Sequence, residues 1–476
     1  MNVESYRSYK NLPPLAGLAD FVEASRPGLS VEACVARLKR IHYALIRLHE
    51  VFTARITAEP IYELKTLFSH HAYLCAEHAQ AIRSRIGEMR EPPLGLEAIP
   101  HPALAVLFDE IRSAPTTIDL LRGIYATVVP ALARTVESYR GDTNPLADAP
   151  SVRVLRFLGL ELGDLLSLGR RCIECLDERR GSSPPTSVDP FAASSPAGIN
   201  PAAHQGAVRQ DEWLDLLDRC LVAAGGLDGA GPTADVPDRW HSALPYVYDR
   251  FPRRDERWQD PWNQGVNAEA FLYDAEMPAP AKALMMLFKR IREIDVPEMM
   301  ASILVETKEQ PWEYYLGMSR QLWDEARHAM MGEVGFVALG IDWTQARITH
   351  NWSYRLNTEC TPIERHAVLY FIEQGLMTKT GKRFEWEVSQ ASGIPLMATI
   401  QDFDWADEVL HAQLGQAWYI PAIGDRKKAL DYGDKCWSRV LSNWQSVLDR
   451  GLTAHANWWP AIYGQACRNW GREPDP

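Results

Sequence analysis

Apolar residues recur every three or four positions over long stretches of this chain, the spacing that gathers them on one face of an α-helix. The segment VEACVARLKRIHYALIRLHEVFTARI keeps that spacing from Val31 to Ile56, and Pro60 follows as a stop. Further patterns run from Ile61 to about Ile86, from Ile118 to Tyr139 and from Val152 to Leu176. Residues 1–180 therefore read as an N-terminal helical bundle domain of four long helices. At Gly181 the composition shifts to Ser, Pro, Ala and Gly, with too little apolar surface to offset the entropy of ordering it. Residues 181–245 are expected to form a flexible linker, interrupted by a short helix from Asp211 to about Ala224.

After an aromatic, proline-rich stretch at 240–278, read as packing over a bundle end, helical spacing returns in two pairs. The first pair is about 279–307 and 311–340, the second about 361–391 and 395–420. Pro311 and Pro362 suit first-turn positions, and Gly340 and Gly393 suit helix ends. A helix at about 425–450 and a tail with Trp458, Trp459 and Trp470 complete a second domain, 246–476. The expected fold class is all-α.

One apolar stripe carries a charge. Met318, Leu322, Glu325, Ala329, Gly332, Phe336 and Leu339 share a helix face, and Glu325 sits in its middle. A lone carboxylate there is strongly unfavourable unless a cation or polar partner meets it. His328, three residues on, lies on the same face and can reach the same metal ion. The stretch DEARHAMMG at 324–332 has a second copy, DEVLHAQLG at 407–415, in which Asp, Glu, His, Ala and Gly recur at the same offsets. The small residues Ala329, Gly332, Ala412 and Gly415 would let neighbouring helices approach closely.

Two Glu-x-x-His pairs supply four ligands, and a paired-metal site in a bundle takes one further carboxylate from each of the other two helices. In a helical hairpin a partner lies as far before the turn as the known ligand lies after it. About a turn near Glu309, Glu325 points back to Glu293; about a turn near Ala391, Glu408 points back to position 374, beside Glu373. Glu293 and Glu373 are 80 residues apart, whereas Glu325 and Glu408, like His328 and His411, are 83 apart. The spacing describes a duplicated helical hairpin. Pro297 can shift the register, which leaves Glu298 as a rival to Glu293, and Glu364 is a weaker rival on the third helix. Asp324 and Asp407 can each accept the free ring N–H of the histidine on the opposite helix, and Arg327 can pair with one of these acids.

Other polar groups read more plainly. His71, Cys75 and His78 share a helix face, and Glu161 and Asp164 stand three apart, as core or interface groups do. Cys172 and Cys175 form a CxxC without a second pair, and the eight cysteines show no disulfide framework. The apolar fraction of 46% is that of a globular protein, and a net charge of −12 argues against nucleic acid or an anionic membrane as partner. No run of about 18 apolar residues and no signal-like start appear, so the expected compartment is the cytoplasm.

Taken together, these residues resemble the ferritin-like di-metal carboxylate superfamily over roughly 279–420. DEARH is similar to the D-E-x-R-H signature of bacterial multicomponent monooxygenase hydroxylases and their relatives, while DEVLH departs from it by lacking the arginine. The resemblance implies a C-terminal ferritin-like four-helix bundle. In it Glu325, His328 and Glu293 would bind one metal and Glu408, His411 and Glu373 the other, with one or two glutamates bridging. Oxygen donors with only two imidazoles suit iron or manganese, so two iron ions or a manganese–iron pair are expected. Dioxygen as co-substrate and a small-molecule substrate follow from the same likeness, and a homodimer is an option. No flavin or ferredoxin-like segment is present, which calls for a separate electron donor. Tyr370, three residues before Glu373, is a redox candidate or a core tyrosine. The function expected is that of a di-iron oxidase or oxygenase; the alternative is an iron-handling protein for ferroxidation, storage or sensing, which the length and extra domain fit poorly.

Overall fold

The computed structural model describes residues 3–90, 95–178, 210–442, 444–471 and 473, and among them the regular structure is entirely helical. None of these helices is long and apolar enough to cross a membrane. The chain divides into two compact units, Met1–Val51 with Leu74–Val247, and Phe52–Tyr73 with Tyr248–Pro476.

The first unit contains most of α1 (Val31–Arg55) and the second half of α2 (Tyr62–Glu88), followed by α3 (Pro102–Arg112), α4 (Thr117–Arg122), α5 (Val129–Asp142), α6 (Ala149–Glu178) and α7 (Gln210–Ala223). A π-helical segment, Gly123–Val128, joins α4 to α5, and Gly123 admits the Trp213 ring of α7 at a distance a side chain would crowd. The expected linker at 181–245 is corrected over its second half. Residues 179–209 lie outside the described residues, but α7 and the loop after it belong to this unit. Buried Glu110 of α3 explains the hold: it accepts hydrogen bonds from the Trp213 indole, from the backbone N–H groups of Trp240, His241 and Ser242, and from the Ser242 hydroxyl. Arg40 donates to the carbonyls of Ala224, Gly226 and Leu227. Six backbone groups in glycine-rich loop are thereby satisfied, which periodicity does not reveal. His78 meets Glu161, and Cys172 and Cys175 are free thiols.

The second unit takes Phe52–Tyr73 as well as the C-terminal helices. Lys65 anchors that early segment through a buried ion pair with Glu298 at 2.9 Å, and Tyr62 packs on Trp258 and Trp343. The helices that matter for chemistry are α8 (Ala279–Arg292), α9 (Asp295–Glu306), α10 (Trp312–Ala338), α11 (Asn351–Glu359), α12 (Pro362–Leu376), α13 (Lys382–Ala391) and α14 (Pro395–Leu414); α15 (Arg426–Leu441) and α16 (Trp459–Asn469) follow. Both first members of the expected hairpins are broken, and each break follows a predicted ligand. Pro297 has no N–H and its ring would strike the carbonyl of Glu293, so α8 ends there and α9 starts afresh. Residues 377–381 separate α12 from α13, where a side chain on Gly381 would collide with the Leu376 backbone.

The small residues of the repeat act where helices meet. A Cβ on Gly332 would lie 2.8 Å from the Leu287 carbonyl oxygen on α8, and one on Gly415 would lie 2.9 Å from Cγ of Tyr370 on α12. Gly415 also opens a π-helical segment, Gly415–Tyr419, that extends α14.

Candidate metal centre

Glu293, Glu325, His328, Glu373, Glu408 and His411 come from four helices of the second unit. Glu293 caps the C-terminus of α8, Glu325 and His328 lie on α10, Glu373 on α12, and Glu408 and His411 on α14. Their donor atoms form two clusters, each spanning less than 4.8 Å: Glu293, Glu325 and His328 in one, Glu325, Glu373, Glu408 and His411 in the other. Glu325 belongs to both, which is the place of a bridging ligand. Glu298 and Glu364 are elsewhere: Glu298 pairs with Lys65 and Arg254, and Glu364 caps α12 and pairs with Arg439. Tyr370 is buried, its hydroxyl 3.2 Å from the Gln374 side-chain oxygen.

The unsatisfied atoms identify the inner face of the site. Glu293 Oε2, His328 Nδ1, Glu373 Oε2, Glu408 Oε2 and His411 Nδ1 are all buried without a hydrogen-bond partner. Five such atoms converging in one place would be prohibitive in a finished core, and a cation among them satisfies all at once. His328 Nδ1 lies 3.5 Å from Glu293 and 3.7 Å from Glu325, while His411 Nδ1 lies 3.2 Å from Glu325 and 3.3 Å from Glu408. Protons take the cation's part here. Burial alone would discharge both histidines, but the carboxylates of Asp407, Glu293 and Glu325 push His328 up to about 10, and Asp324, Glu325 and Glu408 raise His411 well above its ordinary value. Burial and the neighbouring Glu408 and Glu325 raise Glu373 likewise. The donor set therefore fits a pair of hard or borderline divalent ions.

Outside the ligands the two halves cross over. Asp407 on α14 meets Nε2 of His328 at 3.2 Å, and Asp324 on α10 faces Nε2 of His411 at 3.5 Å. Asp407 thus holds the histidine of the opposite helix, Asp324 approaches His411, and in both rings Nδ1 is turned to the cluster. Arg327 pairs with both aspartates, at 2.6 Å each, and Arg320 adds a second cation to Asp324.

Three residues escaped the periodicity. Asp404 joins His328 and Glu408 in a third cluster, and Lys382, fully buried, places Nζ 2.8 and 2.9 Å from the Asp404 oxygens and 2.9 Å from Glu408. Arg290 pairs with Asp404 and with Glu293. Asp404 stands four residues before Glu408 and so shares its face, a signal the sequence does contain. Its counterpart in the other repeat, 83 residues earlier, is Gln321, which donates to Glu373 at 3.0 Å. The duplicated centre is consequently charged on one side and neutral on the other.

A cavity of about 610 Å³ opens beside these groups, with Glu293, Glu325, Glu373 and Glu408 in its wall. Phe288, Leu369, Ile372, Trp437 and Trp458 give it an apolar lining. That volume suits a small organic molecule. The chain matches no protein-family model, no curated protein and no solved structure.

Proposed function

We propose that this protein is a ferritin-like di-metal oxidase or oxygenase, with iron the leading metal, that uses dioxygen to oxidise a small organic substrate. The observation that carries the reading is the joining of two features: a converging set of unsatisfied carboxylate and imidazole atoms, and a largely apolar cavity into which four of those carboxylates open. Glu293, Glu325 and His328 would hold one ion and Glu373, Glu408 and His411 the other, with Glu325 shared. Bound there in reduced form, such a pair supplies electrons to dioxygen and oxidising power toward a neighbouring substrate. The chain's own residues do the rest. Asp407 keeps the His328 proton at Nε2, Asp324 approaches the same nitrogen of His411 at 3.5 Å, and the apolar wall limits water beside the glutamates. Electrons come from a separate donor or from the substrate.

Metal analysis of protein from iron- or manganese-supplemented cells tests this first. About two ions per chain are expected, with Glu325→Ala losing both and His411→Ala at least one. Wild-type protein that stays metal-free after anaerobic ferrous loading would sink the reading. Oxygen uptake that responds to ferrous ion and to no organic compound would instead support iron handling.

A further inference from the structure

Resting on that reading, we infer that the substrate is an organic anion: an apolar body carrying a carboxylate or a similarly charged acid group, received by Arg347. The argument begins with charge. Five cationic side chains line the cavity, and of its six acids four are the glutamates of the metal centre. Two divalent ions with neutral histidines would neutralise those four, leaving the cations in excess. Three cations are already committed: Lys289 to Glu385, Arg290 to Asp404 and Arg292 to Glu269. Arg355 is shared between Glu359 and the Val440 carbonyl.

Arg347 differs from all of these. It is half-buried, its hydrogen bond goes to the neutral side chain of Gln259, and among the described residues it forms no ion pair. One unsatisfied donor stands close by in the chain and lines the same cavity. The Trp352 indole nitrogen is buried without a hydrogen-bond partner among the described residues. A buried indole N–H calls for an acceptor. Asn351 and Trp352 also open α11, whose N-terminal dipole favours negative charge, the Asn351 N–H itself being held by the Thr349 hydroxyl. One short stretch, 347–355, therefore brings a guanidinium, an indole N–H and a helix N-terminus to a single cavity. An acid group bound there would leave the apolar body the rest of the cavity, whose wall holds Trp437 and Leu369 as well as the four glutamates. The carboxylate of the substrate would then select and orient, while the reaction takes place on its apolar part.

Calorimetric titration under nitrogen, on iron-loaded full-length protein of measured metal content, tests the inference with three probes of one shape: 4-phenylbutyrate, 4-phenylbutanamide and 4-phenylbutylamine. The acid is expected to bind at least about tenfold more tightly than the amide, a difference of about 1.4 kcal/mol, and the amine not at all. Arg347→Gln is expected to remove that preference while leaving the metal content and the amide affinity unchanged. Metal-loaded protein that binds the acid no better than the amide, fails to bind the acid, or keeps its preference in Arg347→Gln overturns the inference. Absence of metal in the same samples would overturn the di-metal reading, so the two failures are distinct.

Discussion

Replacing Lys382 by methionine keeps the length of the side chain and removes its charge. In the metal-free protein Nζ is held by both oxygens of Asp404 and by one of Glu408, all three groups fully or almost fully buried. Removing one partner of a buried ion pair typically costs about 3–5 kcal/mol; Asp404 keeps Arg290, so the loss falls chiefly on Glu408. For a unit of this size each kcal/mol moves the melting temperature by roughly 2–4 °C, so the metal-free Lys382→Met protein should melt about 6–20 °C below wild type. Metal changes the sum. An ion on Glu408 supplies the charge that lysine gave, so the deficit in the loaded protein should fall below half its metal-free value. The assay is a thermal melt of wild type and variant, each with and without two equivalents of ferrous ion under nitrogen. Equal deficits in the two states would refute the account, since they would mean that Lys382 and the metal do not share a carboxylate. No deficit in either state would refute the buried pairing itself.

Three further outcomes are expected. Asp407→Asn removes the carboxylate that orients His328 and anchors Arg327, and should weaken metal binding by roughly 10–100-fold in competition with a chelator, with the loss reading on one ion before the other. Gly332→Ala forces a methyl group against the α8 backbone and should destabilise the second unit by about 1–3 kcal/mol or more, seen as a lower urea midpoint; an unchanged midpoint would contradict the close approach of α8 and α10. Burial lowers His42 and His49 of the first unit to about 4, with Arg83 assisting at His42. Both have folded values below the unfolded one near 6.5, so their full contribution is present above that pH and drains away as the pH falls toward 4, to a ceiling of about 3 kcal/mol each. Urea midpoints at pH 7 and pH 5 should differ less in His49→Leu than in wild type, and an identical difference would count against the burial argument.

How much of this could be read from residue order depends on what each feature rests upon. Hairpin symmetry points to Glu293 and to the neighbour of Glu373, but each count back from the turn crosses a break between helices, so it marks the neighbourhood and the fold brings the two glutamates to the clusters. The crossed contacts of Asp324 and Asp407 follow from the same symmetry, while Arg327 engages both aspartates where spacing suggested one. Lys382 is another matter. It lies beyond the break at 377–381, where helical register no longer carries across, so nothing in its spacing ties it to Glu408. Pro297 was visible as a disturbance, yet only the three-dimensional arrangement decides that the break leaves Glu293 at the cluster and sends Glu298 to Lys65 and Arg254. The attachment of Phe52–Tyr73 to the second unit rests on the buried Lys65–Glu298 pair, a contact between residues 233 positions apart that periodicity does not encode. The composition of the loop after α7, poor in apolar groups, is that of a linker; Arg40 and Glu110 hold it through its backbone, which composition does not register.

Trp458 closes part of the cavity wall from far along the chain, and the segment that carries it is fastened to the rim: Ala456 accepts from Asn263, and His455 from the backbone of Gln264. During synthesis every one of the six donor residues leaves the ribosome before Trp458 does. An ion captured that early would sit in a half-walled cleft, open to water and to any reductant or oxygen at hand. If the proposed di-metal reading holds, a chain ordered this way would gain from acquiring its metal late, after release, when the indole is in place and the cavity is walled.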